Sequence, residues 1–192
     1  SEIILRPYQF CNLSEVVVRH DDTLAMLKEK VKLATIFGTY QATLTNFKYL
    51  RKIWQNNCEE EALLGVSLTG LMDHNVLSKT EDAKRWLKEM KQVAIDTNKE
   101  WAKKLGIKQS AAITCVKPSG TVSQLVNSAS GLHARHSEYY IRTVRGDNKD
   151  PMTQFMMEQG IPNEPDVVHP DDNTVFSFPS KSPKKAVTRN EM

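Results

Sequence analysis

Ala111-Ala112-Ile113-Thr114-Cys115-Val116-Lys117-Pro118-Ser119-Gly120-Thr121-Val122-Ser123-Gln124-Leu125 changes character twice, from apolar run to loop to helix start. Ala111 to Val116 is a short apolar run that reads as a fully buried strand. Lys117-Pro118-Ser119-Gly120 has the residues of a tight loop, and Thr121 onward opens a helix. Immediately upstream, Thr80 to Lys104 carries the clearest helical pattern of the chain. Thr80 is the expected cap, Glu81 and Asp82 occupy the first turn, and Trp86, Met90, Val93, Thr97 and Trp101 fall on one face before Gly106 ends the run. Helix, strand, tight loop and helix in succession are the grammar of an α/β protein whose strands are covered by helices.

Working outward, Leu24, Leu27, Val31 and Ala34 recur at helical steps and predict a helix from the Asp21-Asp22 pair to about Phe37, with the two acids as its cap. A second helix is expected over Ala42 to Trp54. Leu63 to Leu71 reads as a buried strand and turn, and Tyr139 to Arg145 alternates like a strand. Pro151 to Glu158, with Gly160 after it, has a proline start and a glycine stop. Six of the eight prolines lie from Pro151 onward, so residues 161–192 read as a loop-rich end with one strand, Thr174 to Phe178.

The chain has 192 residues, 40% of them apolar, enough for a hydrophobic core. Its 26 basic and 23 acidic residues leave a net charge of only +3, which gives no global pull toward nucleic acid or a membrane surface. No run approaches the ~20 apolar residues of a membrane span. Three widely spaced cysteines, Cys11, Cys58 and Cys115, do not make a disulfide framework, and the chain reads as a soluble, cytoplasmic protein. It opens on Ser1 and stops at Met192 with no closing element, so we read it as a piece of a longer protein.

No dinucleotide fingerprint, Walker loop, H-E-x-x-H or C-x-x-C occurs. Gly65-Val66-Ser67 begins like a nucleophile elbow but has Thr69 where the last glycine belongs. His133 and His136 stand three apart without an acid or cysteine to complete a metal site, and a polar loop is the better reading. Pro118-Ser119-Gly120-Thr121 joins a strand to a helix start, where unpaired N–H groups and two hydroxyls suit a phosphate. An ordinary capped helix with Ser119 or Thr121 as cap is the alternative. Cys11 and Cys115 read by default as packed thiols, Cys115 within the core, and Cys58 has anionic neighbours that disfavour a thiolate.

Five ordered segments carry a resemblance. Arg6-Pro7-Tyr8-Gln9-Phe10-Cys11-Asn12-Leu13, Gly65 to Gly70, Val116 to Thr121, Tyr139 to Arg145, and Phe176 to Pro179 through Ala186 to Arg189 together resemble the large catalytic chain of ribonucleotide reductases. The Pro-Ser-Gly-Thr loop is similar to that of the class II, adenosylcobalamin-dependent enzymes, and Phe-Ser-Phe-Pro to their monomeric nucleoside-triphosphate branch. The likeness runs along almost the whole chain but covers only the middle-to-late part of a family chain several hundred residues longer.

The resemblance implies part of a ten-stranded α/β barrel, with residues 1–192 within a single catalytic domain. It places the radical cysteine immediately before Ser1. It makes Glu2 the general base for the ribose 3′-hydroxyl, Cys11 one member of a redox thiol pair, and Pro118, Ser119, Gly120, Thr121 and Val122 the loop that holds substrate phosphate. The implied cofactor is adenosylcobalamin. The implied partners are a ribonucleoside di- or triphosphate, a thioredoxin-like reductant and the upstream remainder of the same protein, and the piece alone is expected to be inactive. Two alternatives stand beside this. One is a class I catalytic subunit served by a separate radical-generating protein; the other is a nucleotide- or phosphate-binding module without redox chemistry.

Overall fold

A computed structural model describes residues 3–79, 81–117 and 119–192. The contacts divide the chain into two compact units, one running to residue 135 with 185–187 and 191–192, the other comprising residues 136–184 with 188–190.

The first unit is built on parallel strands. β1 (Asn12–Val17) pairs in parallel with β2 (Leu64–Thr69), Asn12 opposite Leu64 and Val17 opposite Thr69. Residues 112–115 add a third parallel rank to the other edge of β2. Leu64 N–H donates to the Ala112 carbonyl at 2.9 Å, Val66 N–H to Ile113 at 2.8 Å, and Cys115 N–H to Val66 at 3.1 Å. Only Thr114 forms a full bridge, with Val66, and Val116 is 65% exposed, so this rank is shorter and wetter than the fully buried strand expected from its apolar composition.

Between β1 and β2 run α1 (Leu24–Gln41) and α2 (Lys52–Glu61), and α3 (Glu81–Leu105) follows β2. This is the crossover a parallel pair requires. Because side chains alternate along a strand, Val16, Val18, Leu64 and Val66 all turn to the helices and join Leu27, Val31, Met90, Ala94 and Ile113 in one core. Leu27 and Leu64 are fully buried, each contributing about 1.5–3 kcal/mol relative to exposure. α1 can lie this close to the sheet because Gly38 faces Leu64, where a Cβ would sit 3.1 Å from the leucine side chain. A buried amide ties the helices together: Asn98 of α3 donates to Thr39 Oγ1 at 3.1 Å and to Ser110 Oγ at 2.9 Å, and accepts from Ser110 N–H at 2.9 Å.

Two helix boundaries differ from the sequence expectation. α1 is capped by Thr23, whose hydroxyl accepts from Met26 N–H, and not by the Asp21-Asp22 pair. Asp22 is buried, accepting from Arg19 N–H and pairing with Lys30 at 2.5 Å, a partner eight residues on that outcompetes a local cap. The second helix starts at Lys52, ten residues later than expected. The threonines that precede it form turns, Thr43 Oγ1 donating to the Tyr40 carbonyl at 2.7 Å, and Phe47 leaves the helical pattern to pack with Phe10. The expected α3 is present with its Gly106 stop at φ 69°; its expected cap, Thr80, lies outside the described residues.

In the second unit β3 (Tyr139–Asp147), β5 (Asn173–Lys181) and β4 (Asn163–Pro165) form an antiparallel sheet in the order β3-β5-β4. Fully buried Phe176 anchors it. The helix Pro151–Glu158 is capped by Asp150 with proline at its start, as the sequence implies. The stretch expected to be loop-rich thus holds two strands, one of them nine residues long.

Candidate functional site

The face of the sheet away from the helices carries the polar residues. Cys11, Leu13 and Glu15 alternate with Val16 and Val18 about the β1 backbone, and Gly65, Ser67 and Thr69 alternate with Leu64 and Val66 on β2. Gly65 fixes the geometry here. A Cβ on it would lie 3.0 Å from Cys115 Sγ and 3.3 Å from Cys11 Sγ and would collide with the Leu13 side chain, so only glycine leaves room for the two sulfurs. Both cysteines are half-buried. Cys115, expected in the core, instead faces the same side of the sheet as Cys11, because Thr114, paired with helix-facing Val66, sends its neighbour to the opposite face.

Further along this face, Glu15 reaches the loop after the third rank. Its Oε2 accepts from Ser119 Oγ at 3.1 Å and lies 3.7 Å from Lys117 Nζ. The Glu15 side chain is only 5% exposed, and its other oxygen has no donor among the described residues. Ser119 Oγ also accepts from Ser123 N–H at 3.0 Å, so it ties down the first turn of α4 (Thr121–Leu125), whose N-cap is Gly120, while giving its single proton to Glu15. Gly120 enters the helix with φ 55° and ψ −129°, a conformation open to glycine. Gly120, Thr121 and Val122 are exposed, whereas Ser119 is buried. The N-cap of α4 is thus Gly120 and not Ser119 or Thr121, because the backbone turns into the helix one residue after the serine, and the backbone from Gly120 to Val122 is exposed. α4 is barely more than one turn long, so its dipole is correspondingly small.

A buried ion pair positions the segment that follows α4. Arg135 grips Asp73 with two bonds, Nε to Oδ1 at 3.0 Å and Nη2 to Oδ2 at 2.8 Å, and Ala129 N–H donates to the same carboxylate at 2.7 Å. Thr69 Oγ1 donates to the Ala129 carbonyl and accepts from Gly131 N–H, tying that segment to the end of β2.

Of the residues singled out in the sequence, Cys11 lies beside Gly65 and Ser119, Gly120, Thr121 and Val122 form the turn into α4; Glu2 and Pro118 lie outside the described residues. Glu15 was missed, although period-two alternation after Cys11 puts its carboxylate opposite Val16 and Val18. Ser67 sits in mid-strand, buried, accepting from Lys117 N–H at 3.2 Å, which removes it as a nucleophile. His133 bonds the Ser130 carbonyl and His136 the Ser137 hydroxyl, as residues of polar loops do. Among the described residues no three His, Cys, Asp or Glu gather as metal ligands. Cys58 is buried on α2, its sulfur accepting from Phe10 N–H at 3.4 Å.

A relative from Lactobacillus acidophilus named adenosylcobalamin-dependent ribonucleoside-triphosphate reductase is 30% identical over 194 residues, covering 86% of this chain and 25% of its own length. A protein of the same name from Euglena gracilis is 28% identical over 178 residues, covering 91% of this chain and 24% of its own. The fold of a crystal structure of a B12-dependent (class II) ribonucleotide reductase matches with a TM-score of 0.76 at 21% identity, over 97% of this chain and 30% of that one. The chain is homologous to a stretch of the class II ribonucleotide reductases. The resemblance in the five segments is thereby borne out, and so is the α/β fold. A probable adenosylcobalamin-dependent ribonucleoside-triphosphate reductase from Dictyostelium discoideum aligns over all of the chain at 26% identity. No family model matches. The chain spans about a quarter of the length of the curated reductases it matches.

The described residues do not fit a cobalamin. The cavity beside Cys115 measures about 590 Å³ and is lined mainly by apolar side chains such as Val31, Leu87 and Met90. That is the size class of drug-sized ligands, too small for a corrin with its nucleotide tail.

Proposed function

We propose that the protein containing this stretch is a class II ribonucleotide reductase that converts ribonucleoside triphosphates to deoxyribonucleotides, and that this stretch supplies its reducing thiol and its phosphate loop. The observation that carries the reading is the single sheet face on which Cys11 lies at one end and Glu15, bonded to Ser119, at the other. The two positions are four residue steps apart, roughly 13 Å along the strand direction, a span suited to a sugar at the thiol and phosphates at the loop. The relatives from Lactobacillus acidophilus and Euglena gracilis are named adenosylcobalamin-dependent, which disfavours the class I alternative.

In this reading the reaction replaces the ribose C2′–O bond by C2′–H, the oxygen leaves as water, and two thiols become one disulfide. Cys11 is one of those thiols, and an external dithiol of the thioredoxin kind restores it by exchange. Glu2 takes the 3′-hydroxyl proton in a site shut to solvent. The backbone of Ser119 to Val122, with Pro118 before it, fixes the phosphates so that the sugar is held in register. Adenosylcobalamin, for which the relatives are named, would supply the radical initiation in the complete enzyme.

Deoxyribonucleotide formation by the complete enzyme tests this. Cys11→Ser abolishes multiple turnovers with a dithiol reductant, and Glu2→Gln lowers kcat with little change in nucleotide affinity. Undiminished multiple turnover by Cys11→Ser would contradict the reading.

A further inference from the structure

We propose that Lys117 is the cation that meets the substrate phosphates, and that buried Glu15 is the positioning residue that holds its ammonium beside the loop. The inference rests on the reading that places phosphates at Ser119 to Val122. The loop itself has few donors to spare. The Ser119 hydroxyl gives its proton to Glu15 Oε2 at 3.1 Å. Val122 N–H donates to the Ser119 carbonyl at 3.2 Å and Ser123 N–H to Ser119 Oγ at 3.0 Å. The N–H groups of Gly120 and Thr121 and the exposed Thr121 hydroxyl are left for a ligand, at the start of a helix of five residues. All of these are neutral. A triphosphate brings several negative charges, and hydrogen bonds between ionised partners are roughly twice as strong as neutral ones, so tight binding at this loop calls for a cation.

Lys117 has a fixed base and an uncommitted head. Its N–H donates to Ser67 Oγ on β2 at 3.2 Å, and its carbonyl packs so closely on Gly131 that a Cβ there would sit 3.2 Å from the oxygen. Its side chain is 19% exposed, sheltered but within reach of a ligand. Lys117 Nζ lies 3.7 Å from Glu15 Oε2, beyond the ~2.7–3.2 Å of an N–H···O hydrogen bond. Among the described residues the ammonium donates no hydrogen bond, so its three N–H groups are available to phosphate oxygens. Glu15 keeps the ammonium from swinging out into water. Its side chain is 5% exposed and its Oε1 has no donor among the described residues, so the carboxylate depends on the nearby cation. The ammonium and the Ser119 hydroxyl flank one carboxylate oxygen, which puts the cation at the root of the loop. With a nucleotide in place the charges alternate from phosphate to ammonium to carboxylate, and the anionic Glu15 does not repel the substrate.

Protection of Cys11 from iodoacetamide by CTP, measured on the reduced complete enzyme, tests the proposal. Lys117→Gln raises the half-protecting CTP concentration roughly 10–100-fold, as expected for the loss of a hydrogen bond to a charged group, whereas Lys117→Arg stays within a few-fold of wild type. Rising KCl weakens protection of the wild type more than that of Lys117→Gln. Glu15→Gln raises the half-protecting concentration less than Lys117→Gln, and the double variant is no worse than Lys117→Gln alone, because Glu15 acts through the lysine. A wild type protected by CTP together with an unchanged half-protecting concentration in Lys117→Gln overturns the role of Lys117 and leaves the phosphates at the loop. Wild-type protection indifferent to KCl, a result that needs no variant to fold, overturns it equally. Additive losses in the double variant overturn the positioning role of Glu15. A wild type that CTP does not protect at all overturns the reductase reading and this inference together.

Discussion

Glu15 couples the thiol strand to the loop through a single carboxylate oxygen, and its two simplest substitutions separate the parts it plays. Glu15→Gln keeps an acceptor for the Ser119 hydroxyl but removes the negative charge beside Lys117; Glu15→Ala removes both. We expect Glu15→Ala to weaken ribonucleoside triphosphate binding severalfold and Glu15→Gln to weaken it less, measured by calorimetric titration, because a buried hydroxyl that loses its acceptor forfeits about 1 kcal/mol. Equal losses would mean that charge alone matters. Asn98 offers a test of the core: with three hydrogen bonds at 0% exposure, Asn98→Ala should lower stability by roughly 3 kcal/mol in a denaturant titration. Glu15 was legible in principle, since alternation about β1 sorts it with Cys11. Cys115 was not, because an apolar run does not reveal which of its residues face the helices.

At the scale of elements, α3 was legible from end to end because its apolar face, acidic first turn and glycine stop agree with one another. The second helix was misplaced because the aromatic spacing of Phe47 and Trp54 imitates a helical period while those rings serve a cluster with Phe10 and Tyr8. The cap of α1 was misplaced for a nearer reason, since Asp22 is taken up by Arg19 N–H and Lys30, which leaves the cap to Thr23. The Asp73–Arg135 pair joins residues distant in sequence, which no local pattern contains. Asp73→Asn should cost about 3–5 kcal/mol, the loss seen when one member of a buried pair is removed, and raise amide exchange at Ala129 and Gly131. In the second unit, burial would raise the Asp166 carboxyl, but the Arg145 guanidinium and the His169 N–H outweigh it and hold the group below its usual value near 3.8. A depressed folded-state value means stabilisation that is complete above the unfolded value and lost as pH falls through the folded one. Unfolding midpoints of this unit should therefore drop below about pH 4, and Asp166→Asn should flatten that dependence.

For the molecule as a whole, the parallel sheet with helices on one face leaves the opposite face to carry Cys11, Glu15, Ser67, Cys115 and Lys117, a concentration of polar groups that no single segment of sequence displays. On the proposed reading, the thiol at one end of this face and the loop at the other serve the same nucleotide. The rate of Cys11 alkylation by iodoacetamide, followed as a ribonucleoside triphosphate is added to the chain, measures this most directly. Slower alkylation that saturates with nucleotide, and that needs a higher concentration in Ser119→Ala/Thr121→Ala, is the predicted result; a Cys11 rate indifferent to nucleotide would contradict it.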